Sequence, residues 1–168
     1  MNLYDVIPQY AKMLGNLERC LDKAVEHATA KKFEADTLVQ ARLAPDMYPL
    51  ARQVQAACDT AKFSAAYLSG KEAPAHPDTE KTIAELKARI ASCRAFLETI
   101  KESDVAGGEE RKVAPKFLQG KWLRGEHHLV QMALPNFYFH VTTAYDILRH
   151  NGVDIGKRDF IGSLPLRD

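Results

Sequence analysis

The sequence predicts an all-α protein, a four-helix bundle with a short β-hairpin between the third and fourth helices. Four separate stretches space their apolar residues by alternating threes and fours, the pattern of a helix face turned to a core. Proline and glycine fall between those stretches. The region 111–124 breaks the helical period around Gln119-Gly120.

The first stripe is Leu3, Ile7, Tyr10, Leu14, Leu17, Leu21, Ala24 and Ala28, with Pro8 near the second turn, where it costs little. One more helical turn is expected around Asp36–Arg42. Pro45 is expected to open the second helix, whose stripe is Met47, Leu50, Val54, Ala57, Ala61, Ala65 and Leu68 and which ends near Gly70. Pro74 and Pro77 make the next stretch a loop. Asp78 or Thr79 is the expected N-cap of the third helix, with Glu80 in its first turn. Its stripe is Ile83, Leu86, Ile90, Cys93, Leu97 and Ile100, and Gly107-Gly108 closes the segment. Val113, Phe117 and Trp122 flank the hairpin turn, and Pro115 restricts it to an edge. The last helix is expected over Glu126–Asn151, kinked or restarted at Pro135-Asn136, with Phe137, Val141, Ala144 and Leu148 inward. Arg149 and His150 suit its final turn, and Gly152 suits the left-handed position beyond it.

A chain of 168 residues, 46% hydrophobic, can bury a sizeable core, and residues 1–168 are expected to form a single domain. Lys plus Arg is 23 against 22 for Asp plus Glu, so no net field recruits nucleic acid or anionic lipid. No apolar run approaches the ~20 residues that span a bilayer. Asp5 and Lys12 interrupt any signal-peptide layout. Cys20, Cys58 and Cys93 are far apart and lack a Cys-x-x-Cys pair, so they read as buried hydrophobes in a reducing compartment. A soluble cytoplasmic protein is the expectation.

Chemistry-bearing motifs are sparse. No two of the histidines His27, His76, His127, His128, His140 and His150 stand at the i, i+3 or i, i+4 spacing of a helical metal site. His127 and His128 point about 100° apart and read as solvated residues at a helix start. His150 reads as a helix-end cation and His76 as loop. His140 differs, because it sits among Phe137, Phe139, Val141 and Ala144, where a lone imidazole is more often a satisfied core residue than a ligand. Tyr145, Thr142 and Thr143 would supply hydroxyls for a small polar pocket beside it. None of Ser64, Ser69, Ser92, Ser103 and Ser163 lies in a nucleophile elbow. Gly152…Gly156-Lys157 is one residue short of a phosphate loop, has Arg158 in place of the magnesium-binding hydroxyl, and follows a helix. The consecutive aromatics Phe137, Tyr138 and Phe139 cover more than one helix face, so some must face a neighbouring element or a second subunit, and a homodimer is the expected assembly.

The string PNFYFHVTTAYDILRHNGVDIGKRDF (Pro135–Phe160), together with LAPDMYPLARQVQAACDTAK (Leu43–Lys62), resembles a bacterial domain-of-unknown-function family among the DinB/YfiT-like four-helix bundles. The resemblance implies a DinB-like bundle, often dimeric. Members of the wider superfamily bind a divalent metal through a second-helix histidine and an H-x-x-x-H pair on the last helix; some are thiol-dependent transferases or hydrolases. Carried onto this chain, the resemblance puts His140 on the second histidine of that pair, Asn136 on the first and Gln53 on the second-helix ligand. Amides are much weaker ligands for zinc or nickel than imidazole, so no metal cofactor is expected. Three readings follow. The first is a metal-free small-molecule pocket or interaction protein. The second is a zinc- or nickel-dependent transferase or hydrolase that recruits Asp46, Asp59 or a histidine near the hairpin. The third is a metal-independent enzyme with His140 as acid or base and Tyr145 as helper.

Overall fold

The computed structural model describes residues 2–167. It is an all-α four-helix bundle with a small antiparallel hairpin. The long helices are α1 (Val6–Lys31), α2 (Leu50–Ser69), α3 (Ile83–Glu98) and a composite fourth, α4 (Gly125–His128) continuing through a π-helical turn (Leu129–Ala133) into α5 (Leu134–His150). Around the core they run in the cyclic order α1, α3, α2, α5, with α2 packing most extensively on α5. The predicted stripes face this core: Leu14, Leu21, Val54, Ala61, Leu86, Ile90, Phe137 and Ala144 are all fully buried.

Pro8 lies in the first turn of α1, where no intrahelical acceptor would use its missing N–H. The 35–41 region forms a 3-10 turn (Ala35–Gln40). Two predicted starts shift. The second helix begins at Leu50 rather than at Pro45, because Pro49 drives Tyr48 out of the helical region and a turn at Ala44–Met47 takes up the residues before it. The third helix is capped by Thr82, not by Asp78 or Thr79. Thr82 Oγ1 accepts the Glu85 N–H at 3.2 Å while Glu85 Oε2 accepts that of Thr82 at 3.0 Å, a reciprocal box that neither predicted cap completes. Asp78 and Glu80, freed from capping, pair with Arg89 at 2.7 and 3.0 Å.

The hairpin pairs β1 (Lys112–Val113) with β2 (Leu123–Arg124), Val113 opposite Leu123. Its connection contains a 3-10 turn (Lys116–Leu118) and a left-handed Gln119, and leaves Phe117 and Trp122 exposed. Gly125 lets the hairpin exit pass against the chain near the end of α2: a Cβ there would lie 1.9 Å from the Gly108 carbonyl oxygen.

The irregularity predicted at Pro135-Asn136 falls just upstream of the proline. Leu134 donates its N–H to the Leu129 carbonyl, five residues back, and this wide turn accommodates the missing donor of Pro135. At its far end α5 closes with Val153 N–H donating to the Leu148 carbonyl around Gly152, which has φ +88°. A final helix, α6 (Lys157–Ile161), is tied to α1 by the buried Asn16, whose Nδ2 donates to the Phe160 carbonyl at 2.7 Å. Among the described residues no helix is long and apolar enough to cross a membrane.

Leu86→Ala or Ile90→Ala will each lower unfolding free energy by about 2–5 kcal/mol in urea titration, because both side chains are fully buried where α3 meets the core. A neutral result for either would mean that this stripe does not carry the core.

Candidate functional site

The antiparallel α2–α5 contact brings the resemblance residues into two polar pairs. Gln53 Oε1 lies 2.8 Å from His140 Nδ1, and Asn136 Nδ2 donates to Thr60 Oγ1 at 2.7 Å. The surrounding bonds fix the proton positions. Gln53 Nε2 donates to the Tyr48 carbonyl at 3.1 Å, so its oxygen is what faces His140, and His140 therefore carries its proton on Nδ1. Thr60 gives its own proton to the Ala56 carbonyl, so it can only accept from Asn136, whose carbonyl oxygen has no partner among the described residues. His140 is buried, and desolvation, with the Arg52 charge as a smaller influence, holds its pKa below the ordinary value. It is a neutral imidazole with a lone pair on Nε2.

Tyr145 and Thr143 do not join this pair. Thr143 donates to the Phe139 carbonyl one turn back, at 2.7 Å. Tyr145 donates to the Ile155 carbonyl at 3.3 Å and packs its ring edge-on against Phe160, toward the C-terminal segment. The hydroxyl pocket expected around His140 therefore does not form: these hydroxyls satisfy backbone carbonyls.

The concavity instead lies farther along the α2–α5 seam. A cavity of about 160 Å³ has apolar walls from Phe63, Tyr67, Pro115, Phe117 and Met132. Asp59, Thr60, Ser64, His128 and Asn136 bring polar groups to it. His128 is a correction to the sequence reading. It is not solvated but only 4% exposed, with its ring edge-on to Tyr67 at 5.4 Å. Among the described residues its Nδ1 has no hydrogen-bond partner, and burial alone pulls its pKa down. Ser64, 1% exposed, has its Oγ beside the buried Tyr10 hydroxyl, its nearest polar neighbour. Counted back from Phe137 at about 100° per residue, His128 falls on the opposite face of a regular helix. The π turn absorbs roughly one residue of that rotation and swings His128 inward.

Behind the cavity sits a buried ion network. Asp59 Oδ1 accepts from Lys62 Nζ at 2.8 Å and Arg89 at 2.6 Å, and Arg89 reaches on to Asp78 and Glu80. Lys62 Nζ also donates to His76 Nδ1 at 2.9 Å, and His76 Nε2 lies 3.1 Å from Ser92 Oγ. The Lys–His–Ser chain has the outline of an activated nucleophile with the wrong proton direction. Lys62 occupies the Nδ1 lone pair, so Nε2 carries the proton and cannot take one from Ser92. The three cysteines are buried and unbridged, and burial raises the Cys20 thiol to about 11.

Among the described residues no group of three or more His, Cys, Asp or Glu side chains is placed to hold a metal ion. Asp59 is engaged by two cations, and His128 and His140 belong to separate environments.

No curated protein matches this chain. A crystal structure of a DinB family member protein from Shewanella denitrificans, at 1.83 Å resolution, is similar over 99% of this chain and 95% of its own, with 47% identity and a TM-score of 0.95. The family described as Domain of unknown function (DUF1993) matches residues 3–161. With the bundle, the hairpin and this match in hand, the chain belongs to that family of DinB-like four-helix bundles.

Proposed function

We propose that this chain is a small-molecule-binding bundle that works without a bound transition metal, through the cavity between α2, the π turn and the hairpin connection. The observation that carries this reading is the mostly apolar concavity itself, whose lining sets Thr60 and Asn136, with its carbonyl oxygen unpartnered among the described residues, beside Phe63, Tyr67 and Met132. An apolar concavity with a few convergent polar groups is the usual form of a small-molecule site. The amides at Asn136 and Gln53 support the metal-free part of the reading: Gln53 meets His140 through its oxygen, Asn136 donates its Nδ2 proton to Thr60 Oγ1, and a neutral amide is a weak ligand for zinc or nickel. Three buried thiols fit a cytoplasmic setting.

The metal-free reading has a direct check. Protein purified without a histidine tag should carry far less than one equivalent of zinc or nickel by elemental analysis. Gln53→His with Asn136→His should then gain zinc or nickel affinity by calorimetry, because Gln53 already lies against His140 and position 136 is one turn before it. A full equivalent of tightly held metal in the wild type would overturn the reading, and a folded double variant without gain would show that the two pairs are too far apart to share an ion.

A homodimer is the assembly we propose. Of the consecutive aromatics on α5, Phe137 is buried and Phe139 is left 57% exposed, and Phe117 on the hairpin connection is 61% exposed; a two-fold pairing, the commonest soluble assembly, would cover such rings. Light scattering should return a mass near twice 18.8 kDa; a monomer throughout the micromolar to millimolar range would refute it.

A further inference from the structure

The segment that joins α2 to α3 is attached to the bundle by side chains. From Glu72 to Glu80 no backbone N–H or carbonyl bonds to another backbone group among the described residues. At one end Lys71 Nζ reaches the Thr99 carbonyl and Asp104, each at 2.6 Å. At the other, Asp78 pairs with Arg52 and Arg89, and Glu80 pairs with Arg89 and accepts from Gln55 at 2.9 Å. Between those anchors, among the described residues, the one polar attachment is His76, flanked by Pro74 and Pro77 two residues before it and one after. We propose that this segment is an acid-released strap whose latch is the hydrogen bond from Lys62 to His76.

The direction of that bond makes it sensitive to protons. A lysine ammonium has three donors and no acceptor, so its 2.9 Å contact with His76 Nδ1 requires the lone pair of an unprotonated nitrogen. The other ring nitrogen, 3.1 Å from Ser92 Oγ, already carries a proton. A further proton has only Nδ1 to go to. There it removes the bond and sets two cations against each other at hydrogen-bond distance.

The surrounding charges do not cushion this. Around the ring, α2 brings Lys62 and Asp59, α3 brings Arg89 and Ser92, and the segment itself carries Asp78 and Glu80. All three carboxylates are already engaged by Lys62 or Arg89 at 3.0 Å or less. Burial first, then Lys62 and Arg89, hold the His76 pKa below its ordinary value, with Asp59 and Glu80 opposing. Of the two cations, His76 is the one free to leave. Lys62 is 1% exposed, bound to Asp59 at 2.8 Å and seated over the Phe63 ring, whereas His76 is half-buried on a segment without backbone bonds.

A depressed histidine pKa fixes the sign: the closed strap prevails at pH 7 and loses stability as pH falls below about 6.5. The far anchor outlasts the latch. Burial opposes ionisation of Asp78 and Glu80, but hydrogen bonds from Arg52 and Arg89 to Asp78, and chiefly from Arg89 to Glu80, hold both carboxyls below the ordinary range. Opening is therefore confined to the stretch between Lys71 and Asp78, tethered at both ends.

Nitrogen-15 relaxation of the full chain between pH 7.5 and 4.5 reads the strap, and the His76 ring resonances read the latch. Order parameters at Glu72, Ala73, Ala75 and His76 should fall from the ~0.85 of rigid backbone to below ~0.6, while those of α2 and α3 hold. The fall should share its midpoint with the His76 ring, below pH 6.5. His76→Gln can accept from Lys62 and donate to Ser92 without titrating, so its strap should stay ordered throughout. His76→Arg, a fixed cation, should be mobile already at pH 7.5, with circular dichroism confirming an intact bundle. Order unchanged down to pH 4.5 in the wild type, a ring midpoint at or above 6.5, or an ordered strap in His76→Arg would each overturn the proposal. So would a glutamine variant that loosens in acid as the wild type does, since the response would then belong to Asp78 and Glu80.

Discussion

Pro135 has no backbone proton to give, and the distinctive part of this bundle follows from that lack. A regular helix through Pro135 would press its ring against the Gln131 carbonyl and leave that carbonyl without a donor. The chain widens into a π turn just before the proline, with the Leu134 N–H reaching back to Leu129. That turn rotates the short leading helix, carries His128 from the outer face to the Tyr67 side, and places Met132 and Ala133 on the cavity wall. π turns inside α-helices concentrate at functional sites, and here one shapes the cavity that holds the unpaired imidazole.

Side-chain pairs hold most of the α2–α5 seam together. Gln53 and His140 answer each other, Asn136 and Thr60 do the same, and the side-chain oxygens of Thr143 and Tyr145 close on backbone carbonyls. The Asp59–Arg89 network is buried but balanced, so its role is to hold α2, α3 and the loop between them in register. Removing one partner of such a network is costly because the other charge stays buried. The metal-free reading proposed above rests on this same seam, where an amide stands at two of the three positions the resemblance picks out.

Periodicity made most of the fold legible. The stripes on α1 and α3 needed only the alternation of three and four, and Gly152 marked the end of α5 through its left-handed conformation. The starts of α2 and α3 were missed by a few residues because Pro49 and the Thr82–Glu85 box outweigh the earlier Pro45 and Asp78 signals. Arg89 carried a readable sign: three residues after Leu86 and four before Cys93, it sits within the apolar stripe and so had to be buried with partners. Lys62 sits likewise between Cys58 and Ala65. His128 gave no such sign, because a fixed 3.6-residue period puts it on the solvent face and only the extra residue of the π turn brings it in. The pairing of Gln53 with His140 came from the family resemblance, since nothing in the local sequence says which α2 residue meets α5.

The central claim is that the π turn carries His128 into the interior as a buried, uncharged imidazole, and NMR titration of its ring in the wild-type protein tests it most directly. A histidine whose folded pKa is depressed takes its proton later than the unfolded chain does, so the folded state loses stability as pH falls below about 6.5. The account predicts that the His128 ring stays neutral at pH 6.5 and titrates clearly below it, whereas a midpoint at or above 6.5 would place the ring in solvent and contradict the claim.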